Sequence, residues 1–87
     1  MDEYQSFLEY IKSRRITDTP AGDFTHDARR DRNLPDAQSW DELRRYLSRR
    51  TSNPNVIAAA HSVWSQYVRK NRLYLFAKAH PEFFDNS

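Results

Sequence analysis

The chain has 87 residues, 38% hydrophobic and 30% charged, with a formal net charge of +2 and no cysteine. That length suits one domain with a single modest core, and the missing cysteine excludes disulfides, thiolate metal sites and thiol catalysis. No apolar run approaches the roughly 18–20 residues of a membrane span. The start MDEYQSFLEY has neither the basic nor the apolar region of a secretory signal, so a cytoplasmic protein with no membrane partner is expected.

The first element is a helix over 3–13. Tyr4, Phe7, Leu8 and Ile11 fall at i, i+3, i+4, i+7. Asp2 is the expected N-cap, with Gln5 as its capping-box partner. Lys12, Arg14 and Arg15 stand where cations suit a helix C-terminus. A second helix is expected over 20–31, capped by Thr19 and opened by Pro20. Ala21, Phe24 and Ala28 form its narrow apolar edge, and Asp23, Asp27 and Asp31 form an acidic row beside it. Gly22 reads as part of a turn. Asn33-Leu34-Pro35 ends the helix, because the residue before proline is biased away from helix, and Leu34 is expected to plug the core.

Ser39-Trp40-Asp41-Glu42 is a capping-box start for a third helix. Trp40, Leu43, Tyr46 and Leu47 continue as an apolar stripe. The fourth helix starts at Asn53-Pro54, N-cap then first position. Ile57, Ala60, Val63, Trp64, Tyr67 and Val68 line one face, and Ala58, Ala59 and Ala60 permit close helix approach. Unbroken to residue 79, this helix would run about 39 Å. A body of this size is only about 30 Å across, from a radius of gyration near 12 Å. Either a break at Lys70-Asn71, with Asn71 as a left-handed cap, or a projecting end follows. Residues 72–87 are then an extension of the 1–71 domain, helical to about 79.

The order of these pieces resembles the YozE-like, SAM-like (sterile-alpha-motif-like) domain family over about 6–68. The matching residues are Ser6-Phe7-Leu8, Tyr10-Ile11, Gly22-Asp23-Phe24, Asp27-Ala28 with Asp31, Leu34-Pro35, Trp40-Asp41-Glu42-Leu43, Tyr46-Leu47, Val63-Trp64 and Tyr67. Leu34 stands where the family more often has Phe. The resemblance implies an all-α, small four-helix SAM-like bundle with a C-terminal helical extension, from bacteria or their phages and plasmids. It carries over no catalytic residue, and it does not reach the tail.

Nothing in the chain supplies a catalytic constellation. His26, His61 and His80 share no metal-ligand spacing, and one glycine cannot make a phosphate loop. Asp23 and His26 read as a surface pair, and the Asp23-Asp27-Asp31 row as solvated pairing with Arg29 and Arg30. His61, between Ile57 and Trp64, is expected to be partly buried and bonded to backbone. The reading is a non-enzymatic module with no cofactor, no metal and no small-molecule substrate.

Charge placement carries the functional reading. Residues 1–43 sum to −4 and residues 44–87 to +6, with no acidic residue from Leu43 to Pro81. Arg44, Arg45, Arg49 and Arg50 cluster at the end of helix 3, and Arg69, Lys70 and Arg72 at the end of helix 4. Arg forks bind phosphate bidentately. The expected partner is therefore a DNA or RNA backbone met by these seven residues. Helices 3 and 4 do not make a good helix-turn-helix, because the start of helix 4 offers few polar side chains to read bases. The alternative is a protein-interaction or self-association module, using acidic helix 2 and an apolar surface of Leu73, Tyr74, Phe76, Phe83 and Phe84. A competing reading folds that tail back onto helix 1.

Overall fold

A computed structural model describes residues 5–72, 75 and 76. Among them are four helices and no strand: α1 (Phe7–Ser13), α2 (Pro20–Arg30), α3 (Trp40–Ser48) and α4 (Pro54–Lys70). The architecture is the expected all-α bundle, with α4 as the helix against which α2 packs most extensively and α3 next.

Three helix starts follow the local chemistry of the sequence. The Thr19 hydroxyl accepts from Gly22 N–H at 3.0 Å, and Pro20 opens α2. Ser39 Oγ accepts from Glu42 N–H at 3.1 Å. Asn53 Oδ1 accepts from Asn55 N–H at 2.9 Å, ahead of Pro54. Each cap satisfies a donor that the first helical turn leaves without a partner. The α3 capping box is only half made, since Glu42 Oε1 accepts from Gln38 N–H at 3.0 Å.

The first helix starts later than its periodicity predicts. Gln5 and Ser6 are not helical, and Ser6 is the N-cap. A complete capping box joins Ser6 to Glu9: Glu9 N–H donates to Ser6 Oγ at 3.2 Å, and Ser6 N–H to Glu9 Oε1 at 3.0 Å. A reciprocal box of this kind outcompetes a start at Asp2. Asp36, from the α2–α3 loop, accepts a further α1 donor, Leu8 N–H, at 3.0 Å. The predicted cap Asp2 and stripe residue Tyr4 lie outside the described residues.

Aromatic packing fixes α1 to the second half of α4. Phe7, fully buried, meets Trp64 at 5.2 Å and Tyr67 at 5.4 Å between ring centroids. Tyr10 meets Tyr67 at 5.4 Å, and Trp64 meets Tyr67 at 5.1 Å. Tilted and edge-on pairs of this kind add about 0.5–1.5 kcal/mol each beyond area burial. Ile11, Leu43, Ala60 and Val63 complete the fully covered core, and Leu34 is buried as the expected plug.

Gly22 is not in a turn. It is buried inside the first turn of α2, and no described residue has a positive φ. A Cβ there would lie 1.8 Å from the Thr17 carbonyl oxygen. The glycine lets the α1–α2 loop lie directly on the helix.

The fourth helix ends at Lys70, with Asn71 as its C-cap at φ −113° and ψ 22°. This is not the predicted left-handed cap. Asn71 is buried, and its side chain does the work instead. Its Nδ2 donates to the Tyr67 carbonyl at 3.1 Å, and its Oδ1 accepts from Gln5 N–H at 3.1 Å. Arg72, Leu75 and Phe76 are again helical, and Leu75 packs against the core. Of the predicted partner-surface residues, Phe76 is 46% exposed. Leu73, Tyr74, Phe83 and Phe84 lie outside the described residues.

Candidate functional site

Two surfaces of opposite character flank α4. The first is built by α3 and the outer face of α4. Trp40 and Arg44, one turn apart on α3, line a shallow cleft whose far wall is Ile57, Ala58 and His61. Trp40 and His61 meet edge to face at 4.8 Å, with an interplanar angle of 72°. His61 is therefore exposed and ring-paired rather than partly buried on backbone. Ala58, Ser62, Gln66 and Arg69 continue the exposed side of α4. The sequence from Arg44 to Arg72 has no acidic residue, so α4 itself contributes no carboxylate to this face; on α3, Asp41 is paired with Arg45 at 3.0 Å. Gln66 Oε1 accepts from an Arg14 guanidinium nitrogen at 2.8 Å, which brings one more cation alongside.

The seven predicted basic residues do not form one patch. Arg44, Arg45, Arg49 and Arg50 sit beside the start of α4, whereas Arg69, Lys70 and Arg72 sit at its other end. Those ends are about 24 Å apart at 1.5 Å per residue. Two of the seven are engaged by carboxylates: Arg45 Nε with Asp41 at 3.0 Å, and Arg50 with Asp31 at 3.5 Å. Lys70 lies over the Tyr10 ring, 5.9 Å from its centroid. Arg44, Arg49, Arg69 and Arg72 are exposed and have no ion-pair partner among the described residues.

The second surface is a groove between α2 and the start of α4. It is a cavity of about 340 Å³. Its floor is Phe24, Ala28, Leu34, Leu47 and Ala59. Asp23, Asp27 and Asp31 stand along its α2 rim, with Arg50 opposite. The predicted pairing of this row with Arg29 and Arg30 is not made among the described residues. Arg29 instead donates to the Ile11 carbonyl at 3.0 Å and to the Arg14 carbonyl, tying α2 to the end of α1. His26 Nδ1 stands 3.7 Å from Asp27, not against Asp23.

One end of the groove is a small polar network. Tyr46 Oη donates to Asp31 Oδ2 at 2.5 Å, and Asn33 N–H donates to Asp31 Oδ1 at 2.9 Å. The Arg50 guanidinium lies over the Tyr46 ring at 5.0 Å. The Tyr46 hydroxyl, first, and then Asn33 N–H and Arg50 hold the Asp31 carboxyl below its ordinary value against the effect of burial. Burial, then the bond to Asp31, pushes the Tyr46 hydroxyl up. Its links from Asp31 to Tyr46 and Arg50 join positions 15 and 19 residues apart, so no local spacing announces them. The groove itself has a local signal: apolar Phe24 and Ala28 run beside Asp23 and Asp27 at helical spacing.

Neither surface assembles the groups of a metal centre. Among the described residues no three His, Cys, Asp or Glu side chains converge on a metal-binding position. No described helix is long and apolar enough to cross a membrane.

Three short helices, the third capped by Ser39 and opened by Trp40, and a longer, alanine-bearing fourth define a SAM-like helical domain. The chain belongs to the YozE SAM-like fold family, whose model matches residues 6–69. No curated protein and no solved structure matches the chain significantly.

Proposed function

We propose that this domain is a non-enzymatic module that binds a nucleic-acid phosphate backbone along the outer face of α4. One observation carries the reading: the exposed side of α4, from Ala58 across Ser62 and Gln66 to Arg69, contributes no carboxylate and has exposed arginines at both ends, Arg44 from α3 and Arg69 with Arg72. Ala58 and Arg69 are about 16 Å apart along the axis. That matches about five steps of one duplex strand at 3.4 Å each. The small side chains of Ala58 and Ser62 let a backbone lie close, and Gln66 holds Arg14 alongside. Arg44, Arg49, Arg69 and Arg72 are the contacting residues of this reading. Arg45 and Arg50, held by Asp41 and Asp31, contribute less.

The test is fluorescence anisotropy with labelled single- and double-stranded oligonucleotides across a salt series. Three to four phosphate contacts give a log–log slope of about −3. Arg44→Gln combined with Arg69→Gln reduces that slope by about 2, while Arg45→Gln changes it by much less. Absence of binding at low salt, or equal effects of Arg44→Gln and Arg45→Gln, refutes the reading.

A further inference from the structure

We infer that the α2–α4 groove is a docking site for an amphipathic helix of a partner protein, one whose apolar stripe is flanked by Lys or Arg. The inference concerns a different surface from the nucleic-acid reading and stands independently of it.

The groove is one of the places where the core comes to the surface, as it also does at Tyr10 and Trp64. Phe7, Leu43, Ala60 and Val63 are 0% exposed, whereas Phe24, Ala28, Leu34, Leu47 and Ala59 each keep 6–8%, and all five line the groove. An occupant therefore adds to the core rather than to an isolated surface patch. The α2 wall runs from Pro20 to Asp31, about 16 Å. That length matches three turns of a helix at 5.4 Å each. Ala28 and Ala59 in the floor keep the two walls from being closed by bulk, and 340 Å³ is at the small end of pockets that take ligands. An apolar stripe at i, i+3/i+4 and i+7 laid into such a floor is the helix-in-groove mode.

Charge selects the occupant. Asp31 is already committed to Tyr46, Asn33 and Arg50. Asp23 and Asp27 are exposed, and neither has a Lys or Arg partner among the described residues. With Arg50 on the opposite wall, the rim keeps an excess of negative charge. A basic flank gains on this rim, and an acidic flank is repelled by it. The same rim disfavours a phosphate backbone, so the ligand of this groove is a polypeptide.

The probe is a 14-residue peptide with Leu at i, i+3/i+4 and i+7 and Lys at the flanking positions, titrated into the full chain and followed by amide chemical shifts. The expected shifts fall on Phe24, Ala28, Leu34, Leu47 and Ala59. Asp23→Lys with Asp27→Lys weakens binding on the order of tenfold. Asn55→Trp places an indole at the groove mouth from an exposed position and abolishes binding while leaving the charge unchanged. A matching peptide with Glu for Lys binds at least tenfold more weakly. Shifts that avoid the groove, binding that survives Asn55→Trp, or equal binding of the Glu peptide overturns the proposal. So does groove occupation by an oligonucleotide, or by a second copy of the chain detected as concentration-dependent light scattering.

Discussion

Gly22→Ala sets two effects against each other, and the structure decides the sign. Alanine is the better helix former by about 1 kcal/mol in a helix interior, so propensity alone makes the variant more stable. The new Cβ, however, would stand 1.8 Å from the Thr17 carbonyl oxygen, where ordinary contact begins at 3.4 Å. The obstacle is backbone, so the α1–α2 loop must move by roughly 1.6 Å, the difference between those two distances. Thr19, which caps α2 through Gly22 N–H, is two residues further along that loop. Losing such a cap costs about 1 kcal/mol. The Arg29 bonds to the Ile11 and Arg14 carbonyls fix the other end of the loop, and weakening them adds about 1.5–3 kcal/mol. The net expectation is a loss of about 2 kcal/mol. For a domain of this size it appears as a fall of roughly 8–16 °C in Tm. Circular dichroism melts with a parallel urea titration measure it, and Asp23→Ala at the neighbouring exposed position serves as the control, expected within about 0.5 kcal/mol of the parent. A Gly22→Ala protein as stable as the parent refutes the close-approach argument.

Other changes have equally definite outcomes. Tyr46→Phe removes a hydrogen bond to a carboxylate and is expected to cost about 1–2 kcal/mol by urea titration. The same bond sets a pH dependence of known sign. Asp31 is depressed in the folded state, so its contribution is present above about pH 4 and is lost as pH falls through its lower folded value. Tyr46 is raised, so its contribution is present below pH 10 and is lost as pH rises through its higher folded value. In Tyr46→Phe the alkaline loss due to Tyr46 disappears and the acid loss shrinks, as stability measured at pH 3, 7 and 11 reports. Asn71→Ala frees Gln5 N–H and removes the side-chain bond to Tyr67, an expected cost of about 1–2 kcal/mol accompanied by faster hydrogen exchange at Gln5. Ser39→Ala removes the α3 cap, for about 1 kcal/mol by thermal melt.

What could be read in the sequence was what neighbours in the chain decide. Thr19, Ser39 and Asn53 cap helices because a short polar side chain before an apolar repeat has one satisfying geometry. The Leu34 plug follows from the proline behind it. The start of α1 was also legible, since Ser6 and Glu9 have capping-box spacing, but the apolar residue at Tyr4 pulled the expected start upstream. Features that depend on distant elements were not legible. Gly22 resembles a turn glycine until Thr17 is seen lying on it. His61 looks half-buried until Trp40 arrives from α3 to meet its ring. Asp31 comes from the end of α2, whereas Tyr46 and Arg50 come from the end of α3. For the candidate sites the division is similar. The lack of acid along α4 is written in the chain, but the distance between its two arginine groups is a property of a helix length. The groove exists only because α2 and α4 leave a gap.

The Gln5–Asn71 hydrogen bond has a topological consequence. It brings positions 66 residues apart in sequence to within 3.1 Å. The path from Gln5 through four helices to Asn71 is therefore almost a closed ring. A ring can be opened anywhere that its backbone is exposed and weakly bonded. A permuted chain joined by a short Gly-Ser linker across Gln5 and Asn71, and cut between Ser52 and Asn53, should assemble the same four helices in a different chain order. The cut would lie at the start of α4, far from the aromatic cluster that holds the bundle together, while the join would lie beside that cluster.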